Sequence, residues 1–313
     1  MPFTAKSGKF NAKINAVEVG TGDKKITIGG ENVLPFYTFD DAIANAPKVG
    51  IEITDGGLDN EPECVKKFYE GCTSVVDMAK KAATFEGVDF LSIRLEGGDP
   101  NGLNKPTEEL VALVKEVAEA VDLPLAVCGC KNVEKDAELL DKVSAALEGR
   151  NAMILAAKEE NYKNVGASAG LAYKQIVGAE SAVDINLAKQ LNVLLTQLGV
   201  NGQNVVMNVG TAAAGYGFEY VVSTMDRIKA AALSQNDTTL QMPIVTPVAS
   251  EVWGVKEAVA SEADMPEWGS QEERGIDMEV ETAAAVLASG SNAVILKHPE
   301  SVKTISKLIK ELV

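Results

Sequence analysis

Hydrophobic positions along the chain follow two different periods, and the change between them falls near residue 48. Residues 10–33 alternate apolar and polar side chains on both sides of Gly20-Thr21-Gly22-Asp23, which predicts a β-hairpin. From Val49 onward, short apolar runs alternate with segments of helical period. We therefore predict an N-terminal hairpin and connector, residues 1–47, that caps the bottom, amino-terminal face of a larger domain, residues 48–313.

Eight apolar runs have the length and composition of buried parallel strands. They are Gly50–Thr54, Phe90–Leu95, Leu123–Cys128, Ala152–Ala156, Gln175–Ala179, Val205–Val209, Pro243–Thr246 and Ala293–Leu296. The helices predicted after them are Cys64–Glu86, Thr107–Val121, Glu134–Leu147, Tyr162–Lys174, Ile185–Leu198, Phe218–Ser234, Met278–Leu287 and Ser301–Leu312. Eight strand–helix units in about 260 residues predict an α/β fold, a (β/α)8 TIM barrel with an N-terminal β-hairpin extension. The alternative, a doubly wound open sheet, lacks its GxGxxG motif after the first strand.

Cap residues mark several of the predicted helix ends. Asn132, Asp184 and Asp277 are typical N-caps for the third, fifth and seventh helices. Gly149, Gly199 and Gly290 are typical of helix ends.

Composition narrows the class of protein. The 313 residues carry 29 basic and 45 acidic side chains, a formal net charge of −16, which disfavours binding to nucleic acid or to an anionic membrane. The start of the chain lacks a signal peptide and no apolar run reaches membrane-spanning length, so we expect a cytoplasmic protein. Four cysteines in such a chain favour free thiols over disulfides.

Small residues dominate the loop after the sixth predicted strand. Gly210–Gly217 contains five glycines or alanines before Gly217, together with Thr211 and Tyr216. In a barrel, loops that follow the strands build the site. Thr211–Ala214 and Pro247–Ser250 follow neighbouring strands, and together they predict a shallow surface of low relief. Such a surface suits a large planar ligand or another protein domain.

The segment Ser250–Ile276 is predicted as an unusually long loop after the seventh strand, and it holds both tryptophans, Trp253 and Trp268. Structureless loops of about 25 residues in a compact domain are usually lids, binding loops or partner surfaces. An ordinary insertion that packs its tryptophans on the barrel rim is the alternative.

Candidate catalytic groups are few. Lys158 and Lys297 lie at strand ends, where a Schiff-base lysine is found, but neither has an acid–base partner nearby in sequence. The single histidine, His298, excludes a metal site built from several histidines, and no CxxC motif indicates an iron–sulfur cluster in this chain. A magnesium site from Asp55, Glu96 and Asp99 is a nonspecific alternative. Glycines expected for a phosphosugar enzyme are missing after strands seven and eight.

The run Gly210–Leu233, GTAAAGYGFEYVVSTMDRIKAAAL, closely resembles the small (delta) subunit of the corrinoid iron–sulfur protein of the CO dehydrogenase/acetyl-CoA synthase system. The order of elements matches that family from about Lys48 to the end of the chain. Other matching segments are Val183–Asn192, Leu240–Val245, Val252–Ala258, Glu267–Gly275 and Leu296–Thr304.

This resemblance implies a TIM barrel paired in a heterodimer with a larger subunit, which carries a 4Fe–4S cluster and a cobalamin-binding domain. The cobalamin is shared between that domain and the carboxyl-terminal face of this barrel. It receives a methyl group from a methyltetrahydrofolate:corrinoid methyltransferase and passes it to acetyl-CoA synthase in the reductive acetyl-CoA (Wood–Ljungdahl) pathway of anaerobic carbon fixation. The chain itself has no catalytic residue and no metal ligand in this reading.

The resemblance and the loop positions together give the expected contacts. Corrinoid contacts are expected at Thr211, Ala212, Ala213, Ala214, Gly215, Tyr216, Thr246, Val248, Ala249, Ser250, Asp99 and Asn101. Contacts with the large subunit are expected at Trp253, Trp268 and Arg274. If Thr211–Tyr216 forms a floor beneath the corrin, Ala213→Trp is expected to block cobalamin loading and to leave the barrel folded.

Two alternatives remain open from the sequence. A pterin-dependent methyltransferase on the same barrel would bind folate in its mouth through Asp55, Asp99, Asn101 and Asn208. A Schiff-base lyase or aldolase would use Lys158 or Lys297.

Overall fold

Eight parallel strands form the barrel that the sequence predicts, and two further strands form the antiparallel hairpin. The computed structural model describes residues 8–313 apart from the side chain of Asn60, so residues 1–7 of the predicted extension lie outside the described residues. The hairpin strands are β1 (Val17–Val19) and β2 (Ile26–Ile28). The barrel strands are β3 (Lys48–Thr54), β4 (Phe90–Arg94), β5 (Leu125–Cys128), β6 (Met153–Ala157), β7 (Ile176–Glu180), β8 (Val205–Asn208), β9 (Val245–Pro247) and β10 (Ala293–Leu296).

Neighbouring strands pair in the order β8–β7–β6–β5–β4–β3–β10–β9. A parallel bridge between Met207 and Ile244 joins β8 to the start of β9 and closes the ring. The strands are buried on both faces, which explains why the sequence shows continuous apolar runs instead of alternation.

Helices surround the strands. They are α1 (Glu63–Lys66), α2 (Val75–Ala82), α3 (Thr107–Ala120), α4 (Val133–Ala146), α5 (Tyr162–Val165), α6 (Ile185–Leu198), α7 (Phe218–Ser234), α8 (Ala249–Val252), α9 (Lys256–Val259), α10 (Gln271–Ser289) and α11 (Pro299–Leu312). A π-helical segment, Gly166–Ala172, continues α5. The side chains of Asn132 and Asp184 accept hydrogen bonds from the first turns of α4 and α6, and Gly199 ends α6 in the left-handed conformation, as predicted.

Two of the predicted helices have the wrong extent. The first, Cys64–Glu86, is not continuous, because the chain turns at Gly71 (φ +85°) and restarts where Ser74 caps the first turn of α2. The seventh begins at Gln271, where Ser270 accepts from the N–H of Glu273, so Asp277 lies inside α10 and is not its N-cap.

The predicted structureless loop Ser250–Ile276 is also wrong in detail. It contains most of α8, all of α9, a short 3-10 turn at Pro266–Trp268 and the start of α10. We call residues 249–270 the insert. Its short helices supply backbone hydrogen bonds that a loop of that length would otherwise lack.

The hairpin closes the amino-terminal end of the barrel. Val17, Val19 and Ile28 are buried in one cluster with Phe90 and Met153, which begin β4 and β6. The bottom of the barrel is therefore filled by apolar side chains, and any site lies at the opposite, carboxyl-terminal end.

Candidate functional site

Two adjoining cavities open at the carboxyl-terminal ends of the strands, and we call them together the barrel mouth. The first has a volume of about 270 Å³ and the second about 380 Å³. Four residues line both of them: Arg94, Gly129, Lys131 and Ser250. The mouth is therefore recessed, and the flat surface of low relief expected from the small residues is wrong.

Buried ion pairs form much of the floor of the mouth. The Nε and Nη2 groups of Arg94 donate to Oε2 of Glu52 at 3.0 and 2.8 Å. Nζ of Lys297 lies 2.8 Å from Oε2 of Glu61, and all four of these side chains are nearly inaccessible to solvent. Because each buried cation has a carboxylate beside it, these ion pairs carry no net charge.

Two further ion pairs lie higher in the mouth. Nζ of Lys158 is 3.2 Å from Oε1 of Glu180, and Nζ of Lys131 is 3.3 Å from Oε1 of Glu251. The second of these pairs links the loop after β5 to the insert. Both lysines therefore face carboxylates, and neither stands alone as a nucleophile.

The pKa of Lys297 is set by two opposing effects. Burial would lower the pKa, but the carboxylates of Glu61 and Glu52 reverse this and raise it above the ordinary lysine value. Burial raises the pKa of Glu61 in spite of the ammonium group beside it. A Schiff-base lysine requires a lowered pKa, so the environment of Lys297 acts against the lyase alternative.

Four of the predicted corrinoid contacts line the mouth: Thr211 in the first cavity, Ala249 and Asp99 in the second, and Ser250 in both. The hydroxyl oxygen of Thr211 is buried and has no hydrogen-bond partner within the described residues. A buried polar atom of this kind normally has a partner, so Thr211 marks a position where a ligand group fits.

Other predicted contacts lie away from the cavities. Ala213, Thr246 and Val248 are buried inside the chain, and the Thr246 hydroxyl shares a hydrogen bond with Ser291. Ala213 is only 1% exposed and packs in the main core. The expectation for Ala213→Trp is therefore wrong, because a bulky side chain at this position would disrupt the core whether or not a ligand binds.

The remaining predicted contacts lie at the rim or partly covered. Gly215 and Tyr216 are exposed, and the Tyr216 hydroxyl donates to the carboxylate of Glu257 in the insert. Asn101 is exposed, and its amide groups donate to Asp99. Ala212 and Ala214 are half-buried.

The three predicted partner contacts hold the insert together. The Trp253 ring stacks on the imidazole of His298, with ring centroids 6.0 Å apart and planes 14° apart. Arg274 donates to backbone carbonyls of Glu257 and Ala260, and its guanidinium lies 5.8 Å from the Trp268 ring centroid. Contact of these residues with a second subunit stays a prediction.

His298 is fully buried and lines neither cavity. Its Nδ1 accepts a hydrogen bond from the N–H of Glu300 at 3.2 Å and so caps α11. That bond leaves the proton on Nε2, which lies 3.5 Å from the carboxylate of Glu272. Burial lowers the pKa of His298 to about 4, so the imidazole is neutral at pH 7.

Cysteines and acidic residues do not assemble a metal site within the part of the chain that the structure describes. All four cysteines are free, and Cys130 lines the second cavity with its pKa raised to about 12 by burial. Among residues 8–313, no helix combines the length and apolar character needed to cross a membrane.

The residues of the pterin alternative are already engaged with other groups of the chain. The Asp55 carboxylate accepts from the N–H of Gly97 at 2.9 Å and pairs with Lys105 at 2.7 Å. The Asn208 side chain accepts from the N–H of Gly210 at 3.1 Å. A folate would have to displace these contacts to use the same atoms.

Sequence reasoning missed Arg94, Glu52 and the loop after β7, where Ala182 and Val183 line the first cavity. A signal for the first two exists, because Glu52 and Arg94 interrupt otherwise apolar strands, and buried charges need partners. The loop after β7 carries no such signal.

Comparison with known proteins gives a consistent family assignment. The family model described as CO dehydrogenase/acetyl-CoA synthase delta subunit matches residues 16–305. Subunit delta 1 of the acetyl-CoA decarbonylase/synthase complex of Methanosarcina thermophila is 31% identical over 299 residues, which cover 94% of this chain and 67% of that protein. Subunit delta of the same complex from Methanothermobacter thermautotrophicus is 30% identical over 309 residues, covering 98% of this chain and 77% of that protein.

Solved structures show the same fold at low sequence identity. The 7,8-dihydropteroate synthase of Vibrio fischeri ES114 has a TM-score of 0.57 and 11% identity, covering 95% of this chain and 98% of that one. The dihydropteroate synthase of Xanthomonas albilineans with 4-aminobenzoic acid has a TM-score of 0.55 and 14% identity over the same shares. These similarities support the TIM-barrel fold.

Proposed function

The chain belongs to the CO dehydrogenase/acetyl-CoA synthase delta subunit family, and from this premise we propose that its barrel mouth covers a corrinoid held by a larger subunit. In this proposal the chain is the small, non-catalytic member of a heterodimer, and the large subunit carries both the cobalamin-binding domain and a 4Fe–4S cluster. The heterodimer takes a methyl group from a methyltetrahydrofolate:corrinoid methyltransferase and delivers it to acetyl-CoA synthase.

The observation that carries this proposal is the content of the mouth. Thr211, from the loop after β8, and Ala249 and Ser250, from the start of α8, line two adjoining cavities. The buried cations there are neutralised by carboxylates, and neither lysine of the lyase alternative is free of an ion pair. Such a mouth can bind and shield a large ligand, and both lysines that could act as nucleophiles are held in ion pairs.

The residues fit a corrinoid edge by their hydrogen-bonding capacity. Thr211, whose buried hydroxyl has no partner among the described residues, lines the first cavity, Ser250 lines both, and the small side chain of Ala249 lines the second. When bound, the cobalt of the cofactor supplies the nucleophile that carries the methyl group. The residues of this chain would bind the edge of the macrocycle, hold its orientation and exclude water from it.

A pair of tryptophan substitutions tests the location of this surface. Ser250→Trp places a bulky ring where the two cavities meet, whereas Ser234→Trp adds the same ring to an exposed position at the far end of α7. Each variant is co-expressed with the large subunit, and the purified complex is examined by visible absorption. We expect corrinoid bands with the wild type and with Ser234→Trp, and a loss of most of them with Ser250→Trp. Equal bands in all three complexes would place the corrinoid elsewhere.

The same preparations separate the alternatives. Corrinoid in the complex and none on the isolated chain supports the proposal, and a complex free of corrinoid rejects it. Folate bound by the isolated chain would favour the methyltransferase. Borohydride trapping of a carbonyl substrate on Lys158 or Lys297 would favour the lyase.

A further inference from the structure

Two consecutive residues at the edge of the first cavity have left-handed backbone conformations. Ala182 has φ of 43° and Val183 has φ of 62°, and neither is a glycine. For a β-branched residue this conformation is an outlier, and strain of this kind tends to occur at binding and catalytic sites. Both residues line the first cavity.

Contacts with the neighbouring loop hold this conformation. The N–H of Val183 donates to the carbonyl of Val209 at 2.7 Å, and Thr224 donates to the carbonyl of Val183 at 3.2 Å. Gly210 has φ of +81°, and a Cβ atom there would lie 3.0 Å from Cγ2 of Val183 and 3.1 Å from its backbone nitrogen. The glycine therefore permits the close approach that locks the loop after β7 against the loop after β8.

Two residues of the locked loops that line the cavity, Ala182 and Thr211, have polar groups without a partner among the described residues. Within residues 8–313, the backbone N–H groups of Ala182 and Thr211 donate no hydrogen bond, and the Thr211 hydroxyl has no partner. The carboxylate of Glu180, 3.2 Å from Lys158, lines the same cavity. The corner thus combines donors for a ligand oxygen with an acceptor for a ligand N–H.

The charges that line the first cavity select the class of ligand group. The lining includes three cations, on Arg94, Lys131 and Lys158, and three carboxylates, on Asp136, Glu180 and Glu251, and Arg94 is itself paired with Glu52, so the set carries no excess positive charge when all are ionised. A phosphate or carboxylate would bring an uncompensated charge into this set, whereas a neutral carboxamide offers one oxygen and two N–H groups.

We propose that the Ala182–Val183 corner, together with Thr211 and Glu180, binds a neutral carboxamide of the ligand and selects against a carboxylate at the same place. The proposal rests on the proposed function, since a corrin carries carboxamide side chains around its edge. The corner gives this subunit a part in orienting the macrocycle, because only one rotation of the ring brings a given carboxamide to it.

The test uses the complex of this chain with the large subunit and a set of cobalamin derivatives, each with a single peripheral carboxamide hydrolysed to a carboxylate. Affinity is measured by equilibrium dialysis with absorption detection. We expect one isomer to bind about 10-fold or more weakly than cobalamin to the wild type, because its carboxylate faces Glu180. Glu180→Gln is expected to reduce that discrimination to about 2-fold, since the glutamine removes the repulsion.

A second variant tests the donors. Thr211→Val keeps the shape of the side chain and removes the hydroxyl, and we expect about 5- to 10-fold weaker binding of cobalamin. The control is Thr196→Val, whose exposed hydroxyl bonds only within α6, and it should bind as the wild type does. Thermal unfolding of each variant complex checks that the chain remains folded.

The outcomes distinguish a failure of the proposed function from a failure of the carboxamide-binding corner. A wild-type complex that binds no corrinoid overturns the proposed function and the corner with it. A wild-type complex that binds cobalamin, with Thr211→Val and Glu180→Gln unchanged in affinity and discrimination, overturns the corner alone.

Discussion

Acidification is expected to destabilise the chain through its single histidine. His298 is buried beneath the Trp253 ring, and its pKa in the folded chain is about 4, below the value of 6.5 for a free imidazole. As pH falls, the unfolded chain therefore binds the proton first. The stability that depends on neutral His298 is complete above pH 6.5 and is lost progressively as the pH falls toward 4.

The size of this effect follows from the two pKa values. Proton linkage lowers the free energy of unfolding by about 2 kcal/mol between pH 7 and pH 5, and by about 3 kcal/mol by pH 4. The buried carboxyl groups of Glu61 and Glu279 act in the opposite direction, because burial raises their pKa values in the folded chain. The histidine term must therefore be isolated by comparison with a variant.

The matched variant is His298→Asn. Asparagine retains an acceptor for the N–H of Glu300 at the start of α11, but it does not titrate between pH 4 and pH 7. Urea unfolding of both chains at several pH values gives the free energy of unfolding, and the difference between them should change by about 2 kcal/mol from pH 7 to pH 5.

Proton NMR provides an independent reading, since the chain has one imidazole and needs no assignment. The His298 ring resonances should remain at their neutral positions at pH 5.5 and move only near pH 4. A midpoint near 6.5 in the folded chain, with a pH-independent difference between wild type and variant, would refute the buried, neutral state described above.

Three further predictions concern single positions. In urea unfolding, Val183→Gly should be about 1 kcal/mol more stable than Val183→Ala, because φ is 62° and alanine retains the left-handed strain. A more stable alanine variant, which is the usual order, would contradict this. Lys297→Met should lower the free energy of unfolding by about 3–5 kcal/mol, because it leaves Glu61 buried without its cation. The double variant with Glu61→Gln should recover part of that loss, and additive losses would show that the pair is not coupled. Gly275→Ala should lower the midpoint of thermal unfolding, since a Cβ would lie 2.4 Å from the Trp253 ring. Gly71→Ser is the control, because the space around Gly71 is open and only the backbone conformation is strained.

The eight strands were predictable because each is buried on both faces and therefore appears as a continuous apolar run. Ala293–Leu296 agrees in both bounds, and the other strands differ by a few residues at their ends. The predicted helix ends were less accurate where a single turn or capping residue determines the end of the helix. The turn at Gly71 and the cap at Ser270 depend on single residues inside amphipathic segments, and hydrophobic period alone does not reveal them.

The sequence by itself determined the barrel, the hairpin and the end of the barrel where a site lies, because these follow from the order and period of apolar residues. It did not determine which side chains face the mouth. Arg94 and Glu52 are 42 residues apart, and Lys297 and Glu61 are 236 apart, so their pairing depends on strand register and ring closure.

The tertiary structure also decided between small residues that look alike in the sequence. Ala213 packs in the core, whereas Gly215, two residues later in the same loop, is exposed. The left-handed conformation of Val183 likewise has no cause in its own side chain. It is held by the turn hydrogen bond from the N–H of Asp184 to the carbonyl of Ser181, and by hydrogen bonds and close approach from the loop after β8, the strand that pairs with β7.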